Sequence, residues 1–259
     1  MRTHISFSEL KIWNECAYKH KLVYKDKIKE FLGNEYTAFG TAIHYVCERS
    51  VMGEPFKNLK LIFNETFLSE LKILTEKKVP LKKDLISDMR HQGENIISFI
   101  LPSLKETFVN YEVISVEEAL LVPIDDTDLL FKGFIDLVIK TIDGKYHIID
   151  WKSCSWGWDS KKKTDRMITY QLTLYKNFFA KKHNLDLKNI ETHFALLKRT
   201  ARSDNIEIFR VTSGPKKIKN ALNLLYKAAY NIVRNNHVKN RLSCTSGYGC
   251  EFYKTQYCR

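Results

Sequence analysis

Two apolar runs, Leu129 to Lys140 and Tyr146 to Trp151, each carry one aspartate among Ile, Val, Leu and Phe, and the turn signal Asp143-Gly144 separates them. Both runs read as strands of one antiparallel hairpin. An aspartate inside an apolar strand needs a physical reason, and the length of the turn decides what that reason can be. A two-residue type I′ turn would set Asp136 opposite Trp151 and leave Asp136 and Asp150 on opposite faces. A three-residue loop, Ile142-Asp143-Gly144, with Gly144 in the left-handed region and a G1 bulge, instead pairs Thr141 with Lys145 and sets Asp136 directly opposite Asp150. Directly opposed residues have Cα atoms roughly 4.5–5.5 Å apart, within reach of one shared cation. On this chemical ground the sequence predicts the three-residue loop.

Two buried carboxylates that close repel each other unless a cation neutralises them. Hard oxygen ligands of this kind suit Mg²⁺ or Mn²⁺. Such a metal would polarise a scissile phosphate and lower the pKa of bound water, and Lys152, on the same strand face as Asp150, could orient that water or stabilise developing charge. The plainer alternative makes Asp136 and Asp150 strand-end caps and Lys152 a solvated strand residue.

The order Gly40-x-x-x-His44, Gly133-x-x-Asp136, Asp150-x-Lys152 and Gln171-x-x-x-Tyr175, preceded by Ser6-x-Ser8-x-Leu10 through Cys16-x-Tyr18, resembles the RecB-like branch of the PD-(D/E)XK nuclease superfamily, with its Cas4- and AddB-type nuclease domains. The resemblance runs from residue 6 to residue 258. It implies an α/β, restriction-endonuclease-like fold: a mixed central sheet flanked by helices. It also implies metal ligation by His44, Asp136, Asp150 and the backbone carbonyl of Trp151, with Lys152 as the catalytic lysine. Gln171 and Tyr175, four apart on a helix expected over Arg166 to Lys182, share one face and would position substrate or the lysine. Glu117 and Glu118 head a further strand where some such nucleases use a glutamate; alternation does not tell which points inward.

Six cysteines could suggest disulfides, but Met1-Arg2-Thr3-His4 runs without an apolar leader into an expected amphipathic helix, so a reducing, intracellular, cytoplasmic setting is expected, with a phage protein in the host cytoplasm as one form of it. Cys16 near one terminus and Cys244, Cys250 and Cys258 near the other resemble the iron–sulfur arrangement of the same nucleases and imply a [4Fe–4S] cluster that clips the chain ends together. The spacing Cys244-x5-Cys250-x7-Cys258 departs from the family's Cys-x2-Cys, which leaves a structural zinc as an alternative. Cys47 and Cys154 read as ordinary buried or strand residues.

The whole chain, 1–259, is expected to be one nuclease domain with a helical insertion over about 57–110, broken near Val79-Pro80 and at Pro102, and a cysteine-rich segment at 244–258. A first helix is expected from a capping box at Ser6-Phe7-Ser8-Glu9 to about Tyr24, the His44 helix over Tyr36 to Val51, strands at Glu191 to Lys198 and Asn205 to Val211, and a last helix from Gly214 to about Asn236. The net charge of +12 points to a polyanionic partner, and no stretch approaches the ~18–20 apolar residues of a membrane span. DNA, single-stranded or with a free end, is the expected partner, with a helicase or recombination protein as a further one. Trp156-Gly157-Trp158 with Lys161-Lys162-Lys163, and Lys198 to Arg202, are the loops expected to touch it. The expected activity is exonucleolytic cleavage in recombination, repair or phage DNA processing. The competing reading is a catalytically silent module that binds nucleic-acid ends or a partner.

Overall fold

The computed structural model describes residues 3–247 and 249–259. Its sheet contains β1 (His4–Ser6), β2 (Tyr111–Pro123), β3 (Leu130–Thr141), β4 (Tyr146–Cys154), β5 (Ile190–Lys198) and β6 (Ile206–Arg210). The helices are α1 (Phe7–Glu15), α2 (Ala17–His20), α3 (Glu35–Val51), α4 (Phe56–Glu76), α5 (Lys83–Ile97), α6 (Ile100–Thr107), α7 (Ser160–Thr164), α8 (Arg166–His183) and α9 (Pro215–Val233). The strand order is β1-β3-β4-β5-β6, with β2 also bonded to β3. Pairs β1–β3 and β4–β5 are parallel and the others antiparallel, the mixed α/β sheet expected.

Strand β3 organises the sheet. One of its edges is covered along its length by β2, from Leu130↔Pro123 to Thr141↔Tyr111. Its other edge is divided: β1 pairs with Leu130 to Lys132, and β4 pairs with Leu137 to Lys140. The residues between, Gly133 to Asp136, have neither neighbour on that side, so the sheet splits there. The strand β1 was not expected from the sequence. It is three residues long and depends on a parallel partner more than a hundred residues away, which no local periodicity reports.

The two sheet faces carry separate cores, as strand alternation requires. Val138, Ile148, Phe194 and Leu196 pack under α1, α8 and α9, through Leu10, Leu172, Phe178 and Leu225. Leu137, Ile139, Ile149, Trp151 and Leu197 pack under α3 to α6, through Phe39, Phe63, Phe67 and Met89. The helical stretch expected over 57–110 is present as α4, α5 and α6. Its second break falls at Ser98–Phe99 rather than at Pro102, because Pro102 sits in the first turn of α6, where no intrahelical N–H is required.

The N-terminal helix is interrupted at Cys16 but reaches about as far as expected, because a π-helical turn, Lys21–Lys25, continues α2. Ser6 caps α1 by accepting from the Glu9 amide at 3.3 Å, but the Glu9 side chain does not return to the cap; it is buried and holds His20 Nε2 at 2.6 Å. Cys16 is extended (φ −160°, ψ 115°) and ends α1, and the chain re-enters helix at Ala17.

Gly93 on α5 lies against the Phe63 ring, and an added Cβ would stand 2.0 Å from Phe63 Cζ. In an open helix Gly→Ala gains about 1 kcal/mol. Here Gly93→Ala is expected to cost about 1–3 kcal/mol through overpacking, read as a lowered denaturation midpoint; an unchanged or raised midpoint would contradict this packing.

Candidate active site

The three-residue loop is present. Gly144 has φ +82°, its amide donates to Thr141 O at 2.9 Å, and Thr141 N donates to Lys145 O at 3.0 Å. The same register runs through Ile139↔His147 to Leu137↔Ile149 and brings Asp136 level with Asp150. There the ladder ends. Asp136 Oδ2 accepts the Trp151 amide at 2.7 Å, so the carboxylate itself bridges the two strands where they separate.

Asp150 is almost fully buried. Its Oδ1 accepts from Gln171 Nε2 at 2.9 Å, and its Oδ2 lies 2.5 Å from Lys152 Nζ. Burial alone would lower the Lys152 pKa, but the Asp150 and Asp136 carboxylates outweigh it and hold the ammonium above the ordinary lysine range. Gln171 also donates to the Tyr175 hydroxyl at 3.2 Å. Burial, reinforced by Asp150, raises the phenol further, so Tyr175 keeps its proton. The Tyr175 ring presses on Gly133, where a Cβ would come within 2.8 Å of Tyr175 Cε1. The glycine of Gly133-x-x-Asp136 therefore makes room for the tyrosine four residues beyond Gln171.

From the other face, α3 brings His44 to the split, with Nδ1 3.6 Å from Asp136 Oδ2. Burial pushes the imidazole down to about 4, against the pull of Asp150 and a backbone hydrogen bond to Trp151, so at neutral pH it is an uncharged ring with a lone pair to offer. Asp136 is pushed well above the usual carboxylate range, first by burial and then by Asp150. A neutral imidazole and two crowded carboxylates form a donor set suited to a divalent cation, which would relieve the repulsion between Asp136 and Asp150.

The structure also separates the two glutamates that alternation left open. Glu118 turns away to pair with Lys182 and, at 2.9 Å, with His183 Nε2. Glu117 lies in register with Asp136, between the pairs Val116↔Leu137 and Glu118↔Ile135. It adopts φ +50°, a conformation that costs a non-glycine residue about 1–3 kcal/mol. Burial raises its pKa, and the carboxylates of Glu48 and Asp150 raise it further. Glu117 thus joins His44, Asp136, Asp150, Lys152, Gln171 and Tyr175 as a seventh side chain beside the site, placed by strand pairing rather than by strand periodicity.

A family model of the PD-(D/E)XK nuclease superfamily matches residues 4–258. The chain belongs to that superfamily. Among solved structures, that of a "putative exonuclease" from Eubacterium rectale covers 89% of this chain and 79% of its own, at 14% identity and a TM-score of 0.56. The structure of SSO0001 covers 95% of this chain and 93% of its own, at 16% identity, but its TM-score of 0.37 is too low to bear on the fold. No curated protein matches. Nucleases of this superfamily use divalent metals, in keeping with the donor set at the split.

Other expected contacts of this PD-(D/E)XK nuclease are placed differently. Trp158 packs against Phe194 and Phe209 at ring-centroid distances of 5.2 and 6.2 Å, which leaves Trp156 as the exposed ring of that loop. Lys163 is paired with Glu207. Arg199 is buried, bonded to Gln92 and Ser155 at 3.1 Å each and stacked on Tyr36 and Phe39, so it holds loops together and does not face a substrate. No helix among the described residues is long and apolar enough to cross a membrane.

The four cysteines drawn from both ends do converge: Cys16, Cys244, Cys250 and Cys258 line one small cavity. The termini are tied around it. Tyr18 donates to Tyr257 O at 3.2 Å, Asn240 Nδ2 to Glu15 O at 2.9 Å, and Lys19 pairs with Glu251 at 2.9 Å. All six cysteines are free of disulfides; Cys47 is buried in α3 and Cys154 ends β4, as expected.

Asp136→Asn removes one of the repelling charges while keeping an acceptor for the Trp151 amide. Because the native pKa of Asp136 is raised, its ionisation costs stability as pH rises through that value, and the cost vanishes below ~4, where the unfolded aspartate is also protonated. The variant is expected to melt above wild type in EDTA at pH 8, with the gain fading as the pH is lowered. A lower melting point at pH 8 would contradict the repulsion.

Proposed function

We propose that the chain is a Mg²⁺- or Mn²⁺-dependent deoxyribonuclease of the RecB-like type, acting on single-stranded or unwound DNA ends, exonucleolytically ahead of endonucleolytically. The observation that carries this reading is the convergence of Asp136, Asp150 and Lys152 at the one place where the sheet splits, with Lys152 Nζ 2.5 Å from Asp150. Asp136, Asp150 and His44, with the Trp151 carbonyl and Glu117 beside them, would hold the cation. That cation supplies Lewis-acid polarisation of the scissile phosphate.

The remaining work falls to the chain. Lys152, kept protonated by the carboxylates, presents its ammonium to the negative charge that grows on the phosphate. Gln171 fixes Asp150 from behind and fixes Tyr175 against Gly133, so the walls of the cleft are set before substrate arrives. A groove of about 1520 Å³ begins at Gly133, Phe134 and Tyr175 and runs past Tyr24, Lys25, Lys132, Tyr226, Tyr230 and Arg234. Aromatic faces interleaved with cations suit unpaired bases and their phosphates, which supports a single-stranded substrate.

End-labelled single- and double-stranded DNA tests this directly. Wild-type protein is expected to cut single strands with Mg²⁺ or Mn²⁺ and not with EDTA, Lys152→Ala to lose on the order of 10²–10³-fold or more in rate, and Asp150→Ala to lose cleavage. Tight end-binding without cutting under every metal would favour the silent end-binding module instead.

We further propose that Cys16, Cys244, Cys250 and Cys258 hold a [4Fe–4S] cluster. Asn240 N donates to Cys16 Sγ at 3.3 Å, a contact of the kind that supports cluster sulfurs. A single zinc about 2.3 Å from each thiolate would draw the sulfurs to about 3.8 Å apart. Four thiolates around one cavity, drawn from both ends of the chain, match the ligand number of a [4Fe–4S] cluster as well as that of zinc, and the likeness to iron–sulfur nucleases favours the cluster. Anaerobically purified protein should show visible absorption with stoichiometric iron and sulfide, and Cys250→Ala should lose both. Stoichiometric zinc without iron would overturn the cluster.

A further inference from the structure

Beyond the nuclease centre, one group of metal-ligating side chains among the described residues stands on the opposite sheet face: His147 at the start of β4, and Glu191 and His193 on β5, with ligand atoms all within 4.8 Å of one another. The strand register explains the meeting. His147 pairs with Glu191 across the parallel β4–β5 ladder and Ile149 with His193, so all three side chains project to the face under α6. Both histidines are more than nine-tenths buried, and Phe108, just after α6, packs on them with ring-centroid distances of 4.9 and 5.1 Å.

The hydrogen bonds fix which nitrogen of His147 is bare. Thr141 Oγ1 sits 2.9 Å from His147 Nε2, 2.5 Å from Asp143 Oδ1 and 3.3 Å from Lys145 O. The hydroxyl has one proton, and both of its other neighbours are acceptors, so that proton is spent on Asp143 or Lys145. Thr141 must then accept from His147 Nε2–H, which leaves Nδ1 as a lone pair. That lone pair is buried, has no hydrogen-bond partner, and lies 4.0 Å from Glu191 Oε2. His193 Nδ1 is likewise buried without a partner. Burial holds both rings neutral, His193 down at about 3.

Glu191 is oriented in a matching way. Its Oε1 is taken by Arg210 at 3.2 Å and Lys145 at 3.3 Å, which leaves Oε2 facing the imidazoles. A carboxylate oxygen and a buried imidazole lone pair that face each other with no proton between them are two donors that a shared cation would satisfy. The outer hydrogen bond from His147 to Thr141 is the type that orients ligating histidines.

We propose that His147, Glu191 and His193 form a second metal site, for a divalent transition metal with Zn²⁺ foremost, independent of the nuclease centre. Two imidazoles and one carboxylate with a water in the fourth position is a donor set zinc accepts, and closing the 4.0 Å gap onto bonds of about 2.0–2.2 Å requires only small side-chain rotation. The metal would pin β4 to β5 just before the residues that carry Asp150 and Lys152.

The test uses Co²⁺ as the probe, titrated into the full-length protein in excess Mg²⁺, which fills the nuclease centre. Read as difference spectra against the same protein before Co²⁺, so that absorption of the proposed cluster cancels, wild type should develop visible Co²⁺ bands without new thiolate charge-transfer absorption, and Zn²⁺ should abolish them. His193→Gln and Glu191→Gln should lose the bands, Thr141→Val should weaken binding about 10–100-fold, and Asp150→Asn should keep them. Circular dichroism identifies any variant that fails to fold, and the folded ones decide. No such bands in wild type, or equal titrations in wild type and the Gln variants, would overturn the site.

Discussion

The structure depends on a carboxylate standing where a backbone hydrogen bond would otherwise be. Asp136 takes the Trp151 amide at the point where β3 and β4 part, so the sheet opens without leaving that donor unpaired. The opening is possible because β3 has two short partners on one edge, β1 and β4, with four residues between them that belong to neither. Into that gap come Asp150 and Lys152 from β4, Gln171 and Tyr175 from α8, and His44 from α3. Each is carried by a rigid element, and each meets the others only because the central strand is divided.

Electrostatics then sets the purpose of the gap. Asp136 and Asp150 are crowded at the split, with the exposed Glu117 close enough to push Asp136 further, and a single ammonium, Lys152, and a neutral His44 stand against them. A fold that only needed stability would fill such a site with apolar side chains of similar volume. Retention of the acids together with a left-handed Glu117 is the arrangement of a site that waits for a cation. The wider surface agrees, since a chain of net charge +12 concentrates polyanions around it while the acids remain confined to the cleft.

Much of this was legible in the sequence because it rests on short-range rules. The hairpin register followed from Gly144 and from the demand that Asp136 and Asp150 face one another; the shared face of Gln171 and Tyr175 followed from helical spacing; the central hairpin and the helical stretch before it followed from periodicity, and the mixed sheet from the family resemblance. What was not legible depends on distant partners. Strand β1 exists because of Leu130 to Lys132, the extended break at Cys16 because the chain end packs beside it, and Glu117 stands beside Asp136 in a left-handed conformation that alternation cannot show. Trp158 and Arg199 read as substrate contacts by composition, yet both are held in the interior by neighbours from other elements.

The most direct measurement is a crystal of the protein grown with Mn²⁺, examined by anomalous scattering at the manganese edge. A peak is expected between Asp136 and Asp150, within about 2.0–2.3 Å of their oxygens as for a hard divalent cation, with His44 turned toward it. A structure at saturating Mn²⁺ with no peak there, and Lys152 still paired to an unliganded Asp150, would contradict the assignment of the split in the sheet as the catalytic centre.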